Sequence, residues 1–415
     1  MPKKSLAQVF HFDSFGKRQE KYDNLTNTNF EDVAWKELNP TEPYYFFVPK
    51  DFGTQEKYNE GFSINEIFKI NSIGIVTGKD SELVSLKKTE LLCTNIAYRP
   101  FDFQYTTYDM KLLQRSRSRI MDNIFEKDNT VLCIGGTAKN IYSNCLVSAF
   151  IVGKHYVTSE SYAFPLYLYT KKEENLFSNN SEISSEGGEI KTPNFNMEII
   201  SKIEEKLGIR ADFIPDSVRT SFMLMPEDVR VGFMSAPSVM PTIILTFSPE
   251  NLFDYIYAVL HSKNYRETYK EFLKIDFPKI PFDVSKDLFF EMSHLGEELR
   301  SYHLMENENL IPKNFITKYE IDGDNLVEKV GYKESPDSIE SGLGSIYIND
   351  IQYFSGVPAT VWEFYIGGYQ PAQKWLKDRK GRNLNYEDIL HYSKIILCLK
   401  ETIRIMDEIE KIFKI

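Results

Sequence analysis

Toward the C-terminal end of the chain, Ile389, Tyr392, Ile396, Leu399, Ile403, Met406 and Phe413 recur at nearly heptad spacing, with Glu and Lys filling the other face. Such a stripe is one side of a long helix, and Asn385 stands where a side chain can cap its first orphan N–H groups. A stripe of this length cannot be left to water, so the fold must supply an apolar surface to cover it. The pattern covers only about four heptads, which favours packing on helices of the same chain over an intermolecular coiled coil. With 415 residues, 42% hydrophobic and 14% aromatic, the chain can build two or three domains with substantial cores.

The remaining periodicities are mixed. "VFHFDSFGKRQEKYDNL" (Val9 to Leu25) opens as a strand with Phe10 and Phe12 on one face, and Gly16 breaks it before a charged run. A lone strand has unpaired edges, and no nearby stretch reads as its partner. The prolines of "NPTEPYYFFVPKD" (Asn39 to Asp51) forbid helix and predict an extended connector. From Ser63 to Ser148 short apolar runs such as "SIGIVTG" and "TVLCIGG" alternate with helical pieces, one of them capped by Ser118 and covering "RIMDNIF". "AFPLYLY" reads as a further strand, and the polar stretch after it as a surface loop. Helices are predicted from Met197 to Leu207, stopped by Gly208, and from Ser248 as N-cap with Pro249 at N1 through "ENLFDYIYAVLHSKNYRETYKEFL". Another covers Lys286 to Arg300, and "YEIDGDNLVEKVGY" predicts a hairpin around its glycine-containing turn. The fold class is therefore α+β, mixed α/β with a helical C-terminal portion.

Several kinds of chemistry are excluded by missing parts. There is no GxxxxGK[ST] loop, no G-x-S-x-G elbow and no H-E-x-x-H helix, and the six histidines are dispersed. Cys93, Cys133, Cys145 and Cys398 lack disulfide or metal-ligand spacing and read as small buried residues, so no metal is expected. No apolar run is long enough for a membrane span or a signal peptide, which makes the cytoplasm the expected location. A net charge of −11 disfavours indiscriminate nucleic-acid binding but leaves room for a local basic cleft.

Two basic clusters stand out against that negative background. "KLLQRSRSRI" places Arg115, Arg117 and Arg119 at alternate positions; if extended, it presents three guanidiniums on one side, suited to phosphates or guanine edges. The plain alternative is that Asp102 and Asp109 pair with these arginines and hold the fold. In "PAQKWLKDRKGR" the cations around Trp375 fit the last turn of a helix with Gly381 as C-cap, so a structural role is favoured there. "CIGGTAKN" follows a strand with two glycines and reads as a tight turn, with Lys139 and Asn140 free to face a ligand.

The order of "VFHFDSFGKRQEKYDNL", "EPYYFFVP", "YRPFDFQYTTYD", "LLQRSRSRIM", "AFPLYLY", "DYIYAVLHSKNYRETYKEFLKIDFPKIPF", "GEELRSYHLM" and "FYIGGYQPAQKWLKDRKGRNLNYEDILHYSKII" resembles the C-terminal target-recognition region of type ISP restriction-modification enzymes. Those single-chain proteins join a nuclease, a helicase-like ATPase, an adenine-N6 DNA methyltransferase and a specificity domain. The resemblance implies that residues 1–38 end a methyltransferase-like sheet whose other strands lie upstream. It makes 39–245 a mixed-sheet target-recognition lobe, 246–310 a helical segment, and 311–415 a hairpin plus C-terminal helical module. The chain has no [DN]PP[YF] tetrad and no glycine-rich S-adenosylmethionine loop. No catalytic activity is therefore expected of it alone, and S-adenosylmethionine and ATP are expected only in the family's other domains. The implied function is sequence-specific recognition of double-stranded DNA, with a methyltransferase domain or subunit as partner and no membrane. Arg115 and Arg117 match arginines of the family pattern. Arg119, Lys139, Asn140, Lys154 and Tyr156 are added because they follow strands or extend the cluster and carry base-edge or phosphate chemistry. The alternatives are a specificity subunit completing a methyltransferase supplied by a separate chain, and a protein-interaction module docking through the C-terminal stripe.

Overall fold

The computed structural model describes residues 7–42, 45–51, 53–135, 145–171, 189–213, 245–334 and 342–415, and the fold is α+β. The chain divides into two compact units, Met1–Lys57 and Tyr58–Ile415. In the first, the strand Val9–His11 pairs antiparallel with Lys36–Leu38, Val9 opposite Leu38. The strand therefore has a partner within its own unit, contrary to the sequence reading. "KEL" carries no apolar alternation to announce itself as that partner. Trp35 holds the unit together by packing against Phe12 and Phe30, ring centroids 6.3 and 5.2 Å away. None of the unit's described residues is fully buried.

The second unit contains two four-stranded sheets. One runs in the order Ile151–Val152, Thr94–Arg99, Asp102–Thr106, Val84–Ser85, its first pair parallel and the others antiparallel. The other, antiparallel throughout, runs Ser72–Ile73, Ser161–Pro165, Val131–Gly135, Leu146–Ser148. Val131 to Ile134 are fully buried, which is why "TVLCIGG" reads as a continuous apolar run rather than an alternation. A three-stranded antiparallel sheet, Gly331–Glu334, Leu343–Tyr347 and Tyr353–Pro358, lies farther along the chain.

Helices Pro249–His261 and Lys286–His303 pack closely because Gly296 offers no side chain: a Cβ there would sit 1.9 Å from the carbonyl oxygen of Asp254. The long helix Tyr386–Ile412, capped by Asn385 accepting from the Asp388 N–H at 2.8 Å, lies against this pair. Tyr392, Ile396, Leu399, Met406 and Phe413 of the stripe are buried, so its cover is the chain's own helices. A docking role for the stripe loses its free surface.

Helix Met197–Leu207 stops at Gly208 in the left-handed conformation, and Ser248 caps as its hydroxyl predicts. The helix from Ser248, by contrast, ends at His261 and is followed by short helices Lys263–Thr268 and Lys270–Leu273. Ser262 breaks it by capping the next helix through the Tyr265 N–H, and Glu410 takes the Lys263 and Asn264 N–H groups at 2.6 and 3.1 Å. The predicted hairpin at 319–332 does not close either. Its turn folds around the buried Gln352, which donates to Ile321 O and accepts from Asn325 N, while Val327 N bonds Arg382 O. Cys133, Cys145 and Cys398 are buried as expected, but Cys93 is exposed.

Two histidines sit inside the helical core with rings 5.5 Å apart. Tyr257 donates to His303 Nδ1, His303 Nε2 donates to Thr402 Oγ1, and Thr402 donates to Cys398 O. His261 Nδ1 donates to Tyr257 O at 2.8 Å. Burial lowers His261 from 6.5 to about 3 and His303 well below its ordinary value, so both rings are neutral in the fold. The unfolded chain binds protons that the folded one refuses, and stability contributed by these rings is complete above about 6.5 and lost as pH falls. The denaturant midpoint should be flat above neutrality and decline between about pH 6.5 and 5, the two histidines outweighing Asp254, whose carboxyl burial raises to about 6 and which takes up a proton in the same window with the opposite sign. Gly296→Ala should cost about 1–3 kcal/mol in urea unfolding by forcing the two helices apart.

Candidate nucleic-acid interface

The hairpin formed by Thr94–Arg99 and Asp102–Thr106 carries the candidate surface at both of its ends. At one end the chain leaves Thr106 into a loop that returns to Val76, where Arg115 N donates to Val76 O and Val76 N to Arg115 O, each at 3.0 Å. This reciprocal bond fixes the backbone of Arg115 while its side chain stays exposed. Arg117 is left-handed, φ 55°, and begins the one-turn helix Ser118–Met121, which buries Ile120 and Met121. The extended run expected from the alternating arginines is thus broken at Arg117, and Arg117 rather than Ser118 is the cap residue. Arg119 is exposed on the helical turn; Arg117 is half-buried, its Nε without a hydrogen-bond partner among the described residues.

Asp102 and Asp109 do not neutralise these arginines. Asp102 is buried and bonds Arg379 at 2.8 Å and Gln104 at 2.8 Å, while Asp109 accepts the Lys111 N–H at 2.8 Å. Among the described residues no carboxylate pairs with Arg115, Arg117 or Arg119. Elsewhere arginines are consumed internally: Arg300 makes two bonds to Asp254, and Arg404 binds Glu298, Glu401 and Glu408. Arg379 also lies over Trp375, 3.5 Å from the ring centroid, so the second basic cluster contains a fold-holding cation.

Lys154 is tied to the same segment as Arg115 but at the adjacent residue: its N–H bonds Ile75 O, next to the Val76 that Arg115 bridges. Its ammonium pairs with Glu160 at 3.2 Å. Tyr156 is a correction to the sequence reading. It is 1% exposed and donates its hydroxyl to Val147 O at 2.9 Å, and burial pushes the phenol well above its usual range. It therefore serves the core and offers nothing to a ligand. Lys139 and Asn140 lie outside the described residues.

Arg99 was not singled out from sequence and is central here. Its guanidinium lies 4.3 Å from the Tyr98 ring centroid and 5.4 Å from that of Tyr369, and donates to Tyr98 O and His155 O. Tyr98 donates to Asp80 at 3.0 Å, and burial together with that carboxylate raises its phenol to about 12. Arg99 and Tyr98 line a cavity of about 240 Å³ with Val76, Gly78, Asp80 and Lys154, and a neighbouring one of about 440 Å³ with Gln104, Lys374 and Asp378. The available signal was "YRPF", an arginine between an aromatic and a proline.

The model of the Type ISP C-terminal specificity domain matches residues 82–408, which include this hairpin, the arginine loop and the helical core. The chain belongs to that family. A search of curated proteins by sequence returned no significant match. Among solved structures, the specificity domain resembles the DrdV–DNA complex seen by cryo-electron microscopy, with TM-score 0.68 and 18% identity over 97% of this chain and 43% of that one. It also resembles the ATP-dependent Type ISP restriction-modification enzyme LlaBIII bound to DNA, with TM-score 0.64 and 16% identity over 94% of this chain and 27% of that one. A third is a nuclease-deletion mutant of the Type ISP enzyme LlaGI with a DNA substrate mimic, with TM-score 0.61 and 15% identity over 94% and 38%. These likenesses establish a shared fold, and the chain spans less than half of each of those proteins. Among the described residues of the specificity domain no helix is long and apolar enough to cross a membrane.

The ion pair behind the interface is testable. Arg379→Met strands the Asp102 carboxylate in the interior and should cost about 3–5 kcal/mol in chemical denaturation. Adding Asp102→Asn removes the stranded charge and should recover a large part of that loss.

Proposed function

We propose that this chain is a sequence-specific double-stranded DNA recognition module of a restriction-modification system. The observation that carries the reading is the cationic run Arg115, Arg117 and Arg119, which no described carboxylate pairs with, on the loop and helical turn that follow the hairpin, whereas Arg300, Arg379 and Arg404 are spent on internal carboxylates. Guanidiniums without carboxylate partners on a negatively charged protein favour a polyanion at that place. The DNA complexes of proteins with this fold support the same partner. Arg115, whose backbone is locked to Val76, suits a bidentate base contact, which needs a fixed origin. Arg119, on an exposed helical turn, suits phosphate.

A methyltransferase domain or subunit is the second proposed partner. In the Met1–Lys57 unit, Phe10, Phe12, Phe15, Leu25, Phe30 and Phe47 are exposed and no described residue is fully buried. Apolar area of that kind on one small unit marks a contact surface.

Selection from a random duplex library at fixed, moderate salt tests the reading, followed by titration of the recovered and scrambled duplexes. Arg115→Ala should lose about 1–3 kcal/mol on the recovered duplex and relax preference at one base pair. Arg119→Ala should weaken recovered and scrambled duplexes alike and lower the slope of log affinity against log salt by about one. Recovery of no consensus, with or without a methyltransferase partner, would reject sequence readout.

A further inference from the structure

We propose that Leu91, Met110 and Leu112 form an apolar wedge that enters the base stack of bound duplex DNA and kinks it. The proposal rests on the duplex-recognition reading and adds to it how the DNA's shape is changed. Thr94 pairs with Thr106 across the hairpin, so the residues just before Thr94 and just after Thr106 emerge from the same end of the sheet. Their tips carry Leu91, Met110 and Leu112, which are 53%, 55% and 44% exposed.

Single exposed apolar residues are ordinary, but these three lie on two adjoining braced loops. Asp109 organises the second: its carboxylate accepts from Lys111 N, and its carbonyl accepts from Leu112 N at 3.0 Å and Leu113 N at 3.1 Å. Buried Leu113 and the Arg115–Val76 bridge hold the C-terminal side, and Tyr108, bonded to Asp122 and packed on Phe125, holds the other. In the first loop Thr89 N donates to Leu92 O and Leu92 N to the Thr89 hydroxyl, each at 3.0 Å, and Leu92 is buried. Both loops hold their apolar tips outward without help from a collapsed cluster.

The charge around the tips selects the occupant. Residues 86–93 and 107–115 hold Lys87, Lys88, Lys111 and Arg115 against Glu90 and Asp109, and the four cations are exposed. Among the described residues none of the four is in an ion pair. Unpaired cations around apolar tips fit phosphates around a base step, where leucine and methionine can unstack neighbouring pairs and bend the helix. An apolar protein partner would leave the four positive charges unmatched.

The test uses the duplex recovered by selection, with 2-aminopurine placed at each step in turn and a dye pair on its ends. Binding of the wild-type chain should raise 2-aminopurine emission at one or two adjacent steps and shorten the end-to-end distance. The Met110→Ala/Leu112→Ala double variant should melt at the wild-type temperature, bind roughly tenfold more weakly, and lose both signals. Lys111→Gln should weaken binding while keeping the emission rise. If the wild-type chain binds its duplex with no change in emission or distance, or the double variant keeps both signals, the wedge is wrong and duplex recognition stands. If no duplex is bound, both fall.

Discussion

Asp102 and Arg379 meet in the interior, each almost without exposure, and much of the second unit's geometry follows from keeping them together. Asp102 opens the second strand of the hairpin; Arg379 follows the helix Pro371–Lys377 and lies over Trp375. A buried carboxylate with no cation would be prohibitive, so hairpin and helical region cannot drift apart without stranding a charge. His391 adds a second tie from the C-terminal helix by donating to Phe101 O at 2.8 Å, at the turn between the two strands. The pair adds little net stability, since desolvation offsets most of the Coulombic gain, but breaking it by removing one partner is costly. Its consequence is a hairpin whose loops have a fixed base.

That arrangement also determines which cations remain available. With Asp102 committed to Arg379, Asp109 turned onto the Lys111 N–H and Asp122 accepting the Tyr108 hydroxyl, the carboxylates that flank Arg115 and Arg117 in sequence are occupied. A chain of net charge −11 can therefore keep a positive edge, because neutralisation is a matter of geometry and not of average composition.

Where local chemistry decides the backbone, the sequence was readable. Asn385, Ser248 and Gly208 act at helix ends as their side chains dictate, and the stripe of the last helix announced its own burial. Readability failed where distant residues capture local groups. Glu410 takes the N–H groups that would have continued the helix past His261, and Gln352 occupies the turn that would have closed a hairpin. At the candidate site, the arginine run was visible but its shape was not, because the left-handed Arg117 ends the extended pattern. Tyr156 looked available from its polar tip and is held inside by the Val147 carbonyl. Arg99 was missed because its role comes from Tyr369 and His155, far from it in sequence.

Arg117 shows how fold and candidate site are joined. A residue with a Cβ held left-handed costs about 1–2 kcal/mol, and no glycine or asparagine relieves the position. Such strain persists only where surroundings over-determine it, here by the Val76–Arg115 bridge on one side and the buried Ile120 and Met121 on the other. The kink turns the chain from the sheet edge into a helical turn within two residues, separating Arg115 from Arg119 in direction. On the proposed reading, two arginines set on differently directed backbone let one address a groove and the other a backbone.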